Sequence, residues 1–141
     1  MNLTSIRIIT DNVDRLVNFY ETITGFPAER PAPVFAELVL PGCTLAIGHS
    51  TTAQLFSAGS PDAIIPAHNR SVLIEFRVED IEAEYIRLQP LALDWIQEPT
   101  TMPWGNRSMV FRDPDGNLVN YFEPVTEEAI QRFKGRESFK I

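Results

Sequence analysis

Between Pro103 and Pro124 the chain reads PWGNRSMVFRDPDGNLVNYFEP, two alternating runs separated by Asp113-Pro114-Asp115-Gly116. Pro presets a negative φ, Gly takes a positive one without steric cost, and Asp carboxylates bond nearby backbone N–H groups, so the chain must reverse there. Arg107 to Arg112 and Leu118 to Phe122 are then the strands of a hairpin, with side chains alternating between two faces. Asp113 and Asp115 are assigned to this turn rather than to catalysis.

A second, weaker copy of the pattern precedes it. Phe35 to Leu40 and Thr44 to Gly48 flank Pro41-Gly42 as an earlier hairpin. Each hairpin follows a strand and a helix. Leu3 to Thr10 alternates as a strand, Asp11 or Asn12 caps a helix with Val13, Leu16, Val17 and Tyr20 on one face, and Gly25 ends it. Ser71 to Val78 is the later strand, Asp80 caps, Ile81, Tyr85 and Leu88 form the stripe, and Pro90 blocks continuation. Asn12 aligns with Asp80 and Gly42 with Gly116, offsets of 68 and 74 residues. The six-residue difference predicts a longer loop around Gln97 to Trp104. Thr51 to Arg70 links the copies, with a helical turn over Thr51 to Phe56. After Pro124, Val125 to Phe133 reads as an amphipathic helix capped by Thr126, and a frayed end is expected from Lys134.

The stretch NVDRLVNFYETITGF (Asn12 to Phe26), VEDIEAEYIRL (Val78 to Leu88) and the Pro103 to Pro124 hairpin together resemble the vicinal-oxygen-chelate superfamily, which holds glyoxalases, bleomycin-resistance proteins and extradiol dioxygenases. The resemblance runs from about Leu3 to Pro124. It implies an α+β fold of two βαβββ units, about 3–50 and 71–124, joined by the 51–70 linker into one domain over 1–124, with 125–141 as a helix and tail. The two mixed half-sheets are expected to curl around one cleft, with helices on the outer face.

The resemblance also implies where a metal would sit. The family holds a divalent ion with residues from the first and last strand of each unit, and its motif spacings put these positions at Ser5, Ala46, Leu73 and Asn120. Leu and Ala have no donor atom, and Ser hydroxyl and Asn amide are weak neutral ligands. No metal and no cofactor is therefore expected, and the sequence is similar to the metal-free, bleomycin-resistance-like branch. His49 and His68 are read as exposed loop residues.

With Leu73 and Asn120 facing the cleft, alternation sends Ser71, Glu75 and Arg77 there too, while Val72, Ile74, Phe76 and Val78 pack beneath the helix. Arg7 and Ile9 accompany Ser5, and Leu118 and Phe122 accompany Asn120. The candidate ligand-binding residues are thus Arg7, Phe35, Leu73, Glu75, Arg77, Trp104, Asn120 and Phe122, with Trp95 read as core. Arg7, Glu75 and Arg77 serve either a ligand or a buried ion-pair network.

Nineteen acidic residues against twelve basic ones, a net charge of −7, argue against nucleic acid and anionic membranes as partners. The single Cys43 excludes an internal disulfide and is read as packing. No apolar run is long enough to span a bilayer, and a cytoplasmic homodimer binding a small aromatic molecule is expected. Sequestration or sensing is the preferred function. The rivals are a metal-free isomerase or lyase, with Glu75 as general base and Arg7 or Arg77 stabilising an enolate, and an interaction module without a ligand.

Overall fold

The computed structural model describes residues 1–136 and divides the chain into two compact units, Met1–Asn69 and Arg70–Ile141. The connecting segment belongs to the first unit and the C-terminal helix to the second. Each unit is a four-stranded mixed sheet with helices, and neither closes into a barrel.

The first unit runs β1 (Ser5–Thr10), α1 (Val13–Thr24), β2 (Glu29–Ala32), β3 (Phe35–Val39), β4 (Thr44–His49), α2 (Ser50–Ala53) and a 3₁₀ turn (Gln54–Phe56). Its strand order is β1-β4-β3-β2. Asn12 caps α1 by accepting from the Arg15 N–H at 3.1 Å, and Gly25, at φ 75°, returns its N–H to Glu21. Leu16, Tyr20 and Ile23 of α1 are buried together with Ile8, Ala36, Leu38, Leu45 and Ile47, which share one face of the sheet.

The second unit repeats the order: β5 (Leu73–Arg77), α3 (Ile81–Leu88), β6 (Asp94–Thr101), β7 (Asn106–Arg112), β8 (Leu118–Pro124) and α4 (Glu127–Lys134), with strands ordered β5-β8-β7-β6. Asp80 caps α3 through the Ala83 N–H at 3.0 Å. Beneath the helix an aromatic chain runs Phe76–Tyr121–Phe111–Trp95–Tyr85, with successive centroids 5.3 to 5.5 Å apart, all edge-on. Trp95 is half-buried and packs between Tyr85 and Phe111. Burial pushes the Tyr121 phenol pKa up, opposed by Arg87 of α3.

The duplication is visible in the registers. Ser5 pairs with Thr44 and Leu73 with Leu118 in parallel ladders, and the offsets of 68 and 74 residues map one pair onto the other. Gly42 and Gly116 occupy the same turn position at φ 93° and 85°. Asp113 serves the turn, as expected: its Oδ1 accepts from the Asp115 and Asn117 N–H groups and its Oδ2 from the Asn117 amide, each at 2.9 Å.

Three expectations need correction. The extra residues of the second unit do not form a loop over Gln97 to Trp104. The added length is spread over the hairpins: β6 has eight residues against four in β2, β7 has seven against five in β3, β6 pairs with β7 through two register shifts, and only the turn after Thr101 is loop. An edge strand tolerates Pro99, whose missing N–H needs no ladder partner on the open side. His49 is the last residue of β4 and caps α2 by accepting from the Thr51 N–H, half-buried instead of exposed in a loop. Val72 lies before β5 and is exposed, since the ladder to β8 begins at Leu73. The end after Arg136 lies outside the described residues.

Helix α4 is held where the chain leaves β8. The Val125 and Thr126 N–H groups donate to the Gly105 carbonyl at 2.9 and 3.3 Å, and Arg132 donates to the Trp104 carbonyl at 2.9 Å. A Cβ on Gly105, at φ 91°, would lie 2.0 Å from Thr126 Oγ1 and 2.9 Å from the Ala129 Cβ. Gly105→Ala is therefore expected to destabilise the protein by about 2 kcal/mol or more, the left-handed φ and the overlap both contributing. Denaturant unfolding monitored by circular dichroism checks this; an unchanged midpoint would show that α4 is not anchored here.

Candidate functional site

A strand sends alternate residues to opposite faces, so one face of each sheet is committed to its helix and the other is left for chemistry. In the first unit the second face carries Ser5, Arg7 and Ile9 of β1, Thr44, Ala46 and Gly48 of β4, and Phe35 and Glu37 of β3. In the second it carries Leu73, Glu75 and Arg77 of β5, Leu118, Asn120 and Phe122 of β8, and Ser108 and Val110 of β7. The face assignment read from alternation holds in both units.

Across the parallel ladders Ala46 lies opposite Arg7 and Asn120 opposite Glu75, so the positions Ser5 and Leu73 are each displaced by two residues from those direct pairs. Arg7–Ala46 and Glu75–Asn120 are equivalent pairs of the repeat, an arginine beside a methyl group in one unit and a carboxylate beside an amide in the other.

The Asn120 Nδ2 donates to Glu75 Oε2 at 2.7 Å. Asn120 is only 6% exposed, being on a central strand, and its Oδ1 has no hydrogen-bond partner among the described residues. Leaving a buried acceptor unmade costs about 1–3 kcal/mol, so this atom is a liability to folding that something else must justify. Glu75 itself is exposed.

Arg7, Glu75 and Arg77 are all exposed, so mid-strand placement does not bury these charges. The Arg7 guanidinium lies 4.6 Å from the Phe35 ring centroid and 5.3 Å from that of Phe56. The Arg77 guanidinium lies 5.4 Å from the Phe133 centroid, and Phe133 of α4 also packs on Phe122 at 5.5 Å. Each contact combines ring area with the attraction between a cation and a π face. Sequence reasoning missed both covering rings. Phe133 falls on the apolar stripe of a predicted helix, which marks it for burial but not for this face, and Phe56 carries no signal beyond being apolar in a linker.

The eight candidate residues divide between the units. Arg7 and Phe35 meet in the first, and Glu75 and Asn120 meet in the second, flanked along their strands by Leu73, Arg77 and Phe122. Trp104 occupies the turn between β6 and β7, with its side chain 57% exposed and its carbonyl engaged by Arg132. A surface depression of about 380 Å³ lies elsewhere, in the connecting segment of the first unit, between Ser50, Gln54, Asp62 and Pro66. It does not involve the strand faces.

The donor chemistry does not fit a divalent ion. Ala46 and Leu73 offer no donor atom, and no cluster of three His, Cys, Asp or Glu exists among the described residues. One carboxylate and one amide on β5 and β8 are too few ligands to offset dehydration of a cation of that charge.

Two βαβββ sheets with a helix on one face of each and a polar strand pair on the other define a class of paired-module ligand and metal scaffolds. The chain belongs to the glyoxalase/bleomycin resistance protein/dioxygenase superfamily, whose sequence profile matches residues 2–121. It is 25% identical to the uncharacterized protein YwbC of Bacillus subtilis (strain 168) over 118 residues, 82% of this chain and 92% of that one. Among solved structures, a glyoxalase/bleomycin resistance protein/dioxygenase from Nocardioides matches with a TM-score of 0.74 and 24% identity, over 90% of this chain and 85% of that one. A family enzyme from Burkholderia phytofirmans PsJN matches with a TM-score of 0.76 and 18% identity, over 89% of this chain and all of the other. At these identities the structures establish the fold, and function has to come from the site.

Replacing Asn120 by Leu removes the orphaned acceptor and leaves the exposed Glu75 to water. The variant is expected to be more stable by about 1 kcal/mol, as an upward shift of the thermal midpoint in calorimetry. A destabilisation of similar size would mean that the amide is satisfied in solution.

Proposed function

We propose that this protein binds a small organic molecule on the polar strand faces without the help of a metal, as a sequestering or sensing member of its superfamily. The observation that carries the reading is the Glu75–Asn120 pair. Asn120 stands at a strand position where the family resemblance puts a metal ligand, Glu75 is its neighbour across the ladder, and their donor set suits hydrogen bonding to a ligand better than coordination. Aromatic side chains line these faces, Phe35 and Phe56 in the first unit and Phe122 and Phe133 in the second, which favours a ligand with an aromatic part.

The catalytic alternative uses the same carboxylate as a base. Loss of turnover in Glu75→Gln with binding retained would establish it over sequestration, and loss of both binding and turnover would not separate the two. The chain's acidity disfavours polyanionic partners, and among the described residues no helix is long and apolar enough to cross a membrane.

Purified protein is expected to hold no stoichiometric divalent metal, and a chelator should leave its thermal midpoint unchanged, because an ion bound to the native state would raise it by mass action. Elemental analysis finding close to one zinc, nickel, manganese or iron per chain would overturn the reading. Native mass spectrometry of protein taken directly from cell extract is the companion measurement, with an organic adduct as the expected result.

A homodimer is also proposed. Taken by itself each sheet ends in edge strands, β1 and β2 in one and β5 and β6 in the other, and association is a common way to cover such edges. Light scattering at micromolar concentration should give twice the chain mass; a monomeric mass would refute this part.

A further inference from the structure

We propose that the Glu75–Asn120 pair selects a ligand carrying a cationic nitrogen donor, such as an amidinium, guanidinium or protonated amine, attached to an aromatic ring. This rests on the ligand-binding reading above and narrows it to a chemical class. The pair is acceptor-rich once its internal bond is made. Asn120 commits one of its two amide N–H groups to Glu75 Oε2 at 2.7 Å, and against the one N–H that is left stand Asn120 Oδ1, unmet and buried, and the second carboxylate oxygen. Acceptors therefore outnumber donors, and one of them belongs to a carboxylate, so the complementary group presents N–H donors and positive charge.

Turning the amide over does not remove the demand. It would set Oδ1 against the carboxylate and leave two acceptors facing each other. Burial of Oδ1 means that an incoming donor must displace a side chain to reach it. Glu75 is exposed and bonded to the same amide, and its outward rotation is the opening this proposal requires, with the carboxylate kept within reach of the same ligand. Next to the pair on β8 is Phe122, against which Phe133 of α4 packs at 5.5 Å, so an aromatic ring attached to the cation has an aromatic wall to meet. Arg77, two residues along β5 on the same face, is the unfavourable neighbour for such a ligand, with its guanidinium against Phe133.

The test uses three probes of one shape and different charge: benzamidine as its cation, neutral benzamide and anionic benzoate. Titrations of the full chain are followed by proton–nitrogen NMR, including the Asn120 side-chain amide, and by calorimetry. Benzamidinium is expected to bind at least tenfold more tightly than benzamide or benzoate and to shift the Asn120 amide resonances. Glu75→Gln and Asn120→Leu should each weaken it about tenfold or more, whereas Arg77→Gln should tighten it several-fold by removing a like charge. Asp62→Asn, in the connecting segment of the first unit, changes the net charge equally and should leave the affinity unchanged.

Benzoate or benzamide binding as tightly as benzamidinium, with the same dependence on Asn120, would overturn the cation preference and leave the ligand-binding reading standing. Benzamidinium binding that survives both Glu75→Gln and Asn120→Leu would overturn the site. If none of the probes binds and protein from extract also carries no organic adduct, both readings fail together.

Discussion

The structure depends on the parallel pairing of the first and last strand in each unit, β1 with β4 and β5 with β8. Parallel neighbours cannot be joined by a tight turn, so everything between them in sequence must cross over and return, and the helix takes that route across one face. The register of this pairing decides which residues are committed to the helix and which remain for a site. A slip of one residue would exchange Tyr121 with Asn120 and bury the amide in the aromatic core. The apolar layer of Ile8, Leu45 and Ile47, and its counterpart of Phe76, Val119 and Tyr121, exclude that slip.

Around this pairing the rest is secured by local chemistry. Asn12 and Asp80 start the helices, Gly25 ends the first, and Asp113 closes the longer hairpin with three hydrogen bonds to a buried carboxylate. The second unit departs from the first mainly after its last strand. There Gly105 permits α4 to approach closely enough for Phe133 to reach Phe122 and Arg77, on the face opposite α3.

The equivalent strand pairs of the repeat carry different chemistry in the two units. Arg7 beside Ala46 offers donors, while Glu75 beside Asn120 offers acceptors. What the side chains at those positions can satisfy, and what they leave unsatisfied, is the stronger indication of function.

The elements, caps and turns, and the assignment of residues to faces, were legible in the sequence because they follow from local rules: the period of the apolar positions, the capping side chains and the glycines. The repeat offset of 68 residues between β1 and β5, and of 74 between β4 and β8, already carried the equivalence of Arg7 with Glu75 and of Ala46 with Asn120. Three things were decided only in three dimensions. The residues added in the second unit lengthened both β6 and β7 instead of forming one loop, because paired strands satisfy each other's backbone groups. Glu75 became the partner of Asn120, because neighbours across parallel strands depend on register and not on motif spacing. Arg7 and Arg77 came to rest against Phe56 and Phe133, contacts between segments far apart in sequence, for which no local pattern of residues provides a signal.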